Sequence, residues 1–385
     1  MTLKKISGLL HLWLGLASGI VVFVVCITGA IWAFSPEIEN WTQSYRHVEK
    51  QNKPFLLPSQ LKEIAQKQFP KQIVSTVAYF EEGKSVVVYY RGTDFRASAY
   101  INPYSGEVLK VVNDKNDFFS IVITGHYTLW LGEIGGEMVR WGTLLFTVLL
   151  ITGIVLWWPK NKAAAKQRFW IRWKENVKWK RKNYDLHNVL GFYSAWIVIF
   201  AALSGLVWTF ESVSKAEYWL ASGGEIPVEE PQALSIKKGT AAPKNGVDIL
   251  YLKMLTKYKN NIGEMYVSIP EADSSIIGFY IIPKEKAYQS DDYSFDQYSL
   301  AEIGHGAYAD MNGGEKLRRL NYDIHIGSIF GLPGRIAMFF ATLIGGSLPV
   351  TGFYIWWGRR NKTKQKSNNI NYSQEFSRKK MSKIK

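Results

Sequence analysis

Four of the chain's six histidines stand at positions that are written twice. Counting from His126 and from His325 alike, Gly falls at +6 and +9, Thr-Leu at +17 and +18, Thr-Gly at +26 and +27, and Trp-Trp at +31 and +32, with no gap. His11 and His187 share a second register: Gly at +4, Thr or Ser followed by Gly at +17 and +18, Trp at +21 and Phe at +23. Such a repeat means one design duplicated, and every other feature is read through it. Neutral imidazole is a common metal ligand, and ionisable groups in or beside membrane spans are costly and usually functional. A single histidine at a span end reads as a polar interface residue. Four at fixed offsets point to ligation of a metal or cofactor.

The elements that must position them are apolar. With 47% hydrophobic and 15% aromatic residues in 385 and a mean hydropathy near zero, the apolar residues gather in blocks separated by ordinary polar stretches. Four runs, residues 9–34, 138–158, 187–210 and 335–357, are long enough for a hydrocarbon core of about 30 Å, which takes about 20 helical residues. The first follows Lys4 and Lys5 as a signal peptide would, but it is too long and lacks a small-x-small cleavage site, so it reads as a retained span. Most of the net charge of +15 sits at Lys4 and Lys5, between Lys160 and Lys182, and after Trp357. Confinement to span flanks argues against nucleic acid as a partner. By the positive-inside rule it puts both termini and the middle basic loop in the cytoplasm. The polar regions 35–125 and 211–324 then lie outside, and Trp157-Trp158 and Trp356-Trp357 read as an aromatic belt at the inner interface. The one cysteine, Cys26, lies in an apolar run, where it reads as a small core residue.

Topology decides which histidines meet. The first and third spans start in the cytoplasm, which places His11 and His187 at the inner face; the second and fourth start outside, which places His126 and His325 at the outer face. A continuous helix from His126 to Trp158 would be about 48 Å long. That exceeds the core, so a break is expected at Gly135-Gly136 and at Pro333-Gly334, with a short interfacial helix carrying each outer histidine. One pair per face suits two six-coordinate haems with bis-imidazole axial ligands, each ligand from a symmetry-related span. Gly15, Gly191, Gly132 and Gly331 would let a flat macrocycle approach the backbone, although close helix packing explains them nearly as well. Arg140 and Arg335, at +14 and +10, could pair with propionates or simply snorkel to the interface. Copper or zinc is the competing assignment, but no thiolate, methionine cluster or carboxylate accompanies the histidines at metal-site spacing. Without Cys-x-x-Cys-His any haem is noncovalent. No phosphate-binding glycine loop, nucleophile elbow, flavin domain or nicotinamide domain is legible. His47 and His305 lack counterparts in the other repeat; His305 reads as an exposed loop residue.

The first outer region reads as a small α+β module: a helix from Leu61 to Pro70, strands over Ile73–Phe80, Lys84–Arg91 and Arg96–Ile101, and a turn at Asn102-Pro103-Tyr104-Ser105-Gly106 into another short strand. The second has a loop over Pro227–Gly246, a helix over Asp248–Tyr258 and strands at Met265–Ile269 and Ile276–Ile282. Phe295 to Leu300 stands where the first module has its turn.

With these features the chain resembles the PepSY-associated transmembrane proteins over nearly its whole length: the opening His-x-x-x-Gly span, the outer module ending Tyr100-Ile101-Asn102-Pro103-Tyr104-Ser105-Gly106-Glu107-Val108-Leu109, the His126 segment and the Trp-Trp-basic ending. The usual Asp before Pro in the module's turn is Asn102 here, and the second module lacks the Pro-x-x-Gly form. The resemblance implies a four-span α-helical bundle from an internal duplication with two extracytoplasmic α+β (PepSY-like) modules. The segments are 1–36 (first span), 37–122 (outer module), 123–160 (interfacial helix and second span), 161–185 (basic cytoplasmic loop), 186–211 (third span), 212–320 (outer module), 321–358 (interfacial helix and fourth span) and 359–385 (basic tail). Some members look like iron-regulated inner-membrane reductases of ferric siderophores. That implies His11, His126, His187 and His325 as axial ligands of two b-type haems, in a multi-pass protein of the bacterial inner membrane. Electrons from a separate cytoplasmic or membrane donor would be passed to a periplasmic ferric siderophore or other ferric chelate held between the outer modules. The alternatives are a haem-free membrane-anchored binding or regulatory protein and an electron-relay cytochrome without its own substrate.

Overall fold

The computed structural model describes residues 2–92, 95–159, 161, 162, 165, 168–173, 175–227, 233–237, 241–259, 261–284 and 288–381. Lys160, Lys166 and Lys174 of the expected basic loop and part of the expected Pro227–Gly246 loop lie outside the described residues. The chain divides into a helical unit (Met1–Ala33, Val122–Phe210, Ile324–Lys385) and a sheet unit (Phe34–Ile121, Glu211–Asp323).

In the chain's order the helices are α1 (Leu3–Trp32), α2 (Ser35–Thr42), α3 (Pro58–Gln68), α4 (Phe118–Thr128), α5 (Gly132–Trp157), α6 (Trp179–Thr209), α7 (Glu211–Ser222), α8 (Gly246–Tyr258), α9 (Gly313–Ile326) and α10 (Gly331–Met381). Four stretches have the length and apolarity to cross a membrane: α1, α5, α6 and Ser328–Arg360, of 30, 26, 31 and 33 residues. The protein is thus a multi-pass membrane protein. α1 packs against α5 and α10, and α6 packs against the same two, so α1 and α6 stand diagonally across the bundle. The buried centre uses small side chains, including Ala195, Val198, Ala202 and Ala341, while Ile20, Ile151 and Phe200 face outward. Membrane helices pack through small residues because lipid is as apolar as leucine and only close contact favours association. Cys26 is buried there, as expected, with its sulfur 3.5 Å from where a Cβ on Gly345 would stand.

The outer histidines sit on separate short helices, as expected, but the break lies elsewhere. α4 carries His126 and ends at Thr128; Leu129, Trp130 and Gly132 then take positive φ values of 50°, 59° and 60°. α9 carries His325 and ends at Ile326, with Gly327 at φ 81° and Gly331 at φ 64°. Gly135-Gly136 and Pro333-Gly334 are instead inside α5 and α10. A Cβ on Gly135 would collide with the Thr128 carbonyl, and one on its repeat counterpart Gly334 with the Gly327 carbonyl. Reversal is therefore made by left-handed residues, which glycine tolerates best, and the second glycine lets the returning helix touch the end of the preceding one.

In the sheet unit, β1 (Ile73–Tyr79), β2 (Val86–Arg91), β3 (Arg96–Ile101) and β4 (Val108–Asn113) form one antiparallel meander, and β5 (Ile262–Ser268), β6 (Ile276–Pro283), β7 (Asp291–Asp296) and β8 (Glu302–Gly306) form its copy. The two are not separate modules facing one another. β1 pairs with β5 from Thr76↔Ser268 to Tyr79↔Met265, giving one sheet of order β4-β3-β2-β1-β5-β6-β7-β8. A hydrogen-bonded ladder thus joins the two copies edge to edge. Alternate strand residues, among them Val77, Val88, Met265, Phe279 and Phe295, bury one face under α3 and α8, and Ala78, Val87 and Tyr100 form a smaller buried cluster on the other. The buried Asp248 carboxylate of α8 accepts Ser59 N–H at 3.0 Å and Ser59 Oγ–H at 2.5 Å, so one copy's helix caps the other's.

Candidate functional site: two histidine pairs in the helical unit

The bundle brings the histidines together in the two expected pairs. His11 and His187 have ring centroids 6.5 Å apart with planes at 87°; His126 and His325 are 6.1 Å apart at 85°. All four rings are half-buried. The pairs occupy opposite ends of the bundle: on α1, His11 precedes Thr28, the partner of His126, by 17 residues, a rise of roughly 26 Å.

Each ring is held by the same local device. His11 Nδ1 is 3.0 Å from Thr152 Oγ1, His187 Nδ1 2.8 Å from Thr351 Oγ1, His325 Nδ1 3.0 Å from Ser204 Oγ, and His126 Nδ1 3.2 Å from Thr28 Oγ1. A hydroxyl has one proton, and each of these is within reach of its own helix's i−4 carbonyl: Val148 at 2.8 Å, Ser347 at 3.1 Å, Phe200 at 2.7 Å and Val24 at 2.7 Å. The hydroxyls therefore accept, and Nδ1–H donates. His126 fixes the direction independently, since its Nδ1 also lies 3.0 Å from the Val25 carbonyl, which can only accept. The carbonyls of Leu149 and Ala201 stand in the same relation to His11 and His325. With Nδ1 protonated, Nε2 carries the lone pair, and no hydrogen bond of the four rings runs through it among the described residues. An imidazole whose second nitrogen is tied in this way is the usual arrangement of a metal-ligating histidine.

The glycine after each hydroxyl completes the clamp. A Cβ on Gly29, Gly153, Gly352 or Gly205 would stand 2.9, 3.3, 3.2 or 3.8 Å from Cε1 of His126, His11, His187 or His325. The four repeated Thr/Ser-Gly pairs are thus the seats of the four histidines, crosswise within each repeat: α1 seats His126, α5 seats His11, α6 seats His325 and α10 seats His187. Nothing in the sequence alone assigns them a role, although their recurrence in both registers is the available signal.

A cavity of about 430 Å³ opens beside His11 and His187, lined by all four long helices. Gly15 and Gly191 line it, where a Cβ would stand 3.8 Å from Leu149 and 3.3 Å from Leu348, as at closely packed helices. Gly132 and Gly331 have positive φ and act as turn residues, and nothing lies within 4 Å of a Cβ placed on Gly132. The tryptophan doublets divide. Trp158 and Trp357 are 60% and 50% exposed, as a belt requires, whereas Trp157 is 3% exposed and stacks on Phe192 at 3.5 Å, and both Trp157 and Trp356 line the cavity.

Arg140 and Arg335, which differ in register, reach equivalent places. The Arg140 guanidinium lies 4.4 Å from the Phe210 ring at the end of α6, and Arg335 Nη2 donates to the Ala33 carbonyl at the end of α1. Each is suited to capping a helix C-terminus, where cations are favoured. Arg140 also pairs with Glu137 at 3.2 Å, and its buried Nε has no hydrogen-bond partner among the described residues. Trp208, at +21 from His187, lies 4.9 Å from the His325 ring.

The two unrepeated histidines belong to the sheet unit. His47 makes a β-bridge to Lys84 and hydrogen-bonds the Asn40 carbonyl at 2.7 Å. His305 is on strand β8 rather than in a loop, stacked 4.1 Å from the Tyr293 ring. A search of curated proteins finds no match to this chain. The family model described as the PepSY-associated TM region matches residues 9–359, and the chain belongs to that family.

Proposed function

We propose that the protein is a dihaem b-type membrane reductase that passes electrons across the bacterial inner membrane to a periplasmic ferric siderophore or similar ferric chelate. The observation that carries this reading is the pair of bis-imidazole sites with their Nε2 lone pairs presented. Two imidazoles bound to one metal at about 2.0–2.1 Å each would stand with ring centroids roughly 6 Å apart, and the two pairs here stand at 6.5 and 6.1 Å. A metal held by two imidazoles would have its remaining coordination positions filled by a non-protein ligand such as a porphyrin. The cavity has the size of a cofactor pocket.

His11 with His187, and His126 with His325, would hold the two groups, and Thr152, Thr351, Thr28 and Ser204 hold each ring in the ligating tautomer. Haem in that ligation supplies one-electron transfer between ferric and ferrous iron. The protein's own work is to keep two ligand layers at opposite ends of one bundle and to surround them with apolar helices. By the positive-inside rule the basic flanks put both termini and the His11–His187 layer at the cytoplasmic side, where a separate donor delivers electrons, and the sheet unit outside. A ferric chelate reduced there releases its iron, since ferrous iron binds hard oxygen ligands less tightly.

An absorption spectrum of detergent-purified protein from haem-replete cells tests this. We expect a Soret band with two low-spin components, one lost in both His11→Ala and His187→Ala, the other in both His126→Ala and His325→Ala. No Soret band would leave the haem-free binding or regulatory protein as the better reading. The closed β1–β5 seam favours one further alternative, a relay cytochrome without its own substrate. Failure of every ferric chelate in a panel to reoxidise the dithionite-reduced protein would select it.

A further inference from the structure

Few buried side-chain polar atoms lack a hydrogen-bond partner among the described residues, and one of them belongs to the wall of the His11–His187 cavity: the indole Nε1 of Trp157. An indole nitrogen only donates. The side chain is almost fully buried, so bulk water does not serve it either. A buried N–H without an acceptor is costly, and in a native fold it calls for a specific cause.

The surroundings of Trp157 supply no acceptor. Its ring stacks on Phe192 at 3.5 Å with the planes 9° apart, and Phe169 stands edge-on at 4.8 Å. Stacking meets the face of the indole, whereas the N–H lies in its plane, and neither phenyl ring has a lone pair to offer. The carbonyls at this end of α5 are engaged by other donors. The Arg168 guanidinium donates to those of Leu156 and Trp157, and Lys4 Nζ donates to that of Trp158 at 2.6 Å. Two cations are thereby held beside the indole. Trp157 also follows Gly153 by four residues, so it stands one turn further along the face of α5 that seats His11.

We propose that Trp157 is a ligand-binding residue, whose indole N–H donates to an anionic oxygen on the molecule held in the His11–His187 cavity. This rests on the haem reading above; the oxygen is then that of a propionate carboxylate. A carboxylate fits better than a neutral acceptor, because Arg168 and Lys4 make this end of α5 positive and a hydrogen bond to an ionised acceptor is roughly twice as strong.

The test uses the full chain carrying His126→Ala and His325→Ala, stripped of ligand in detergent. It is titrated with ferric mesoporphyrin, which carries propionates, and with ferric etioporphyrin, which has ethyl groups in their place. Binding is read from the Soret band. We expect the parent to bind mesoporphyrin more tightly than etioporphyrin. Trp157→Phe keeps an aromatic ring against Phe192 and removes the donor; it should weaken mesoporphyrin binding by about tenfold and leave etioporphyrin binding unchanged. An equal effect of Trp157→Phe on both porphyrins would assign the indole to packing and overturn the proposal with the haem reading intact. Equal binding of the two porphyrins by the parent, a result that needs no variant to fold, would do the same. Absence of any His11-dependent Soret band with either porphyrin would overturn both.

Discussion

At the scale of single residues, the hydroxyls decide what the histidines can do. Loss of an outer-shell partner commonly lowers metal affinity by about 10- to 100-fold. Thr351→Val keeps the shape of the side chain and removes the acceptor 2.8 Å from His187 Nδ1; with haem bound as proposed, it should weaken retention at that site by about tenfold, while Thr351→Ser should restore it, because Ser204 does the same work for His325 at 3.0 Å. Competition of the loaded protein with excess apomyoglobin, followed at the Soret band, measures both. The glycines give a paired prediction. A methyl on Gly29 would stand 2.9 Å from the His126 ring and one on Gly205 3.8 Å from the His325 ring, so Gly29→Ala should perturb the His126–His325 component and Gly205→Ala should leave it in place. The four histidines and their pairing were legible in the sequence because a duplicated register is a strong pattern and topology sorts its members. The seats were not, since Thr28-Gly29 and Thr152-Gly153 meet their histidines only across helices, at separations of 98 and 141 residues.

At the scale of elements, the spans and the regular strands followed from periodicity, whereas the turns followed from contacts that periodicity does not carry. Gly135 looked like a helix breaker and is a contact glycine; Leu129 and Trp130, which look like helix, take left-handed φ values of 50° and 59°. Gly132→Ala should therefore cost only about 1–2 kcal/mol, the strain of a side chain at positive φ, whereas Gly135→Ala, which drives a methyl into the Thr128 carbonyl, should lower the thermal midpoint much further or prevent folding. β7 and β8 are not legible in the sequence because Asp291-Asp292 and Glu302 dilute the apolar alternation, although Phe295 to Leu300 marks the turn between them. That turn is built on Asp296, whose carboxylate accepts N–H groups from Ser299 at 2.7 Å, Ile236 at 2.9 Å and Tyr298 at 3.1 Å and the Ser299 hydroxyl at 2.8 Å. The Ser299 N–H foremost, with the others, lowers its pKa from 3.8 to about 2. A carboxyl with a depressed folded-state pKa contributes stability that is full above the unfolded value and is lost as pH falls through the folded one. Asp296→Asn should thus be less stable than the parent at pH 6, and the gap should close between about pH 4 and pH 2, as followed by denaturant unfolding at each pH.

At the scale of the whole molecule, the duplication is closed twice, by different means in each unit. In the sheet unit, the β1–β5 ladder and the Asp248–Ser59 cap join the two copies, and Asp248→Ala, which leaves a helix N–H unsatisfied, should cost about 2 kcal/mol. In the helical unit, each hydroxyl clamp ties two helices of the same repeat, while each histidine pair takes one ring from either repeat. The clamps can therefore form in half a molecule and the histidine pairs cannot. A chain divided within the basic segment 161–185 should give two fragments that each present correctly oriented imidazoles one at a time, and neither should show a bis-imidazole low-spin spectrum alone. Co-expression should restore it, because the β1–β5 ladder and the bundle contacts bring the halves back into register. A low-spin spectrum from either fragment by itself would mean that both axial ligands can come from one repeat, and the division of labour between clamp and pair would then be wrong.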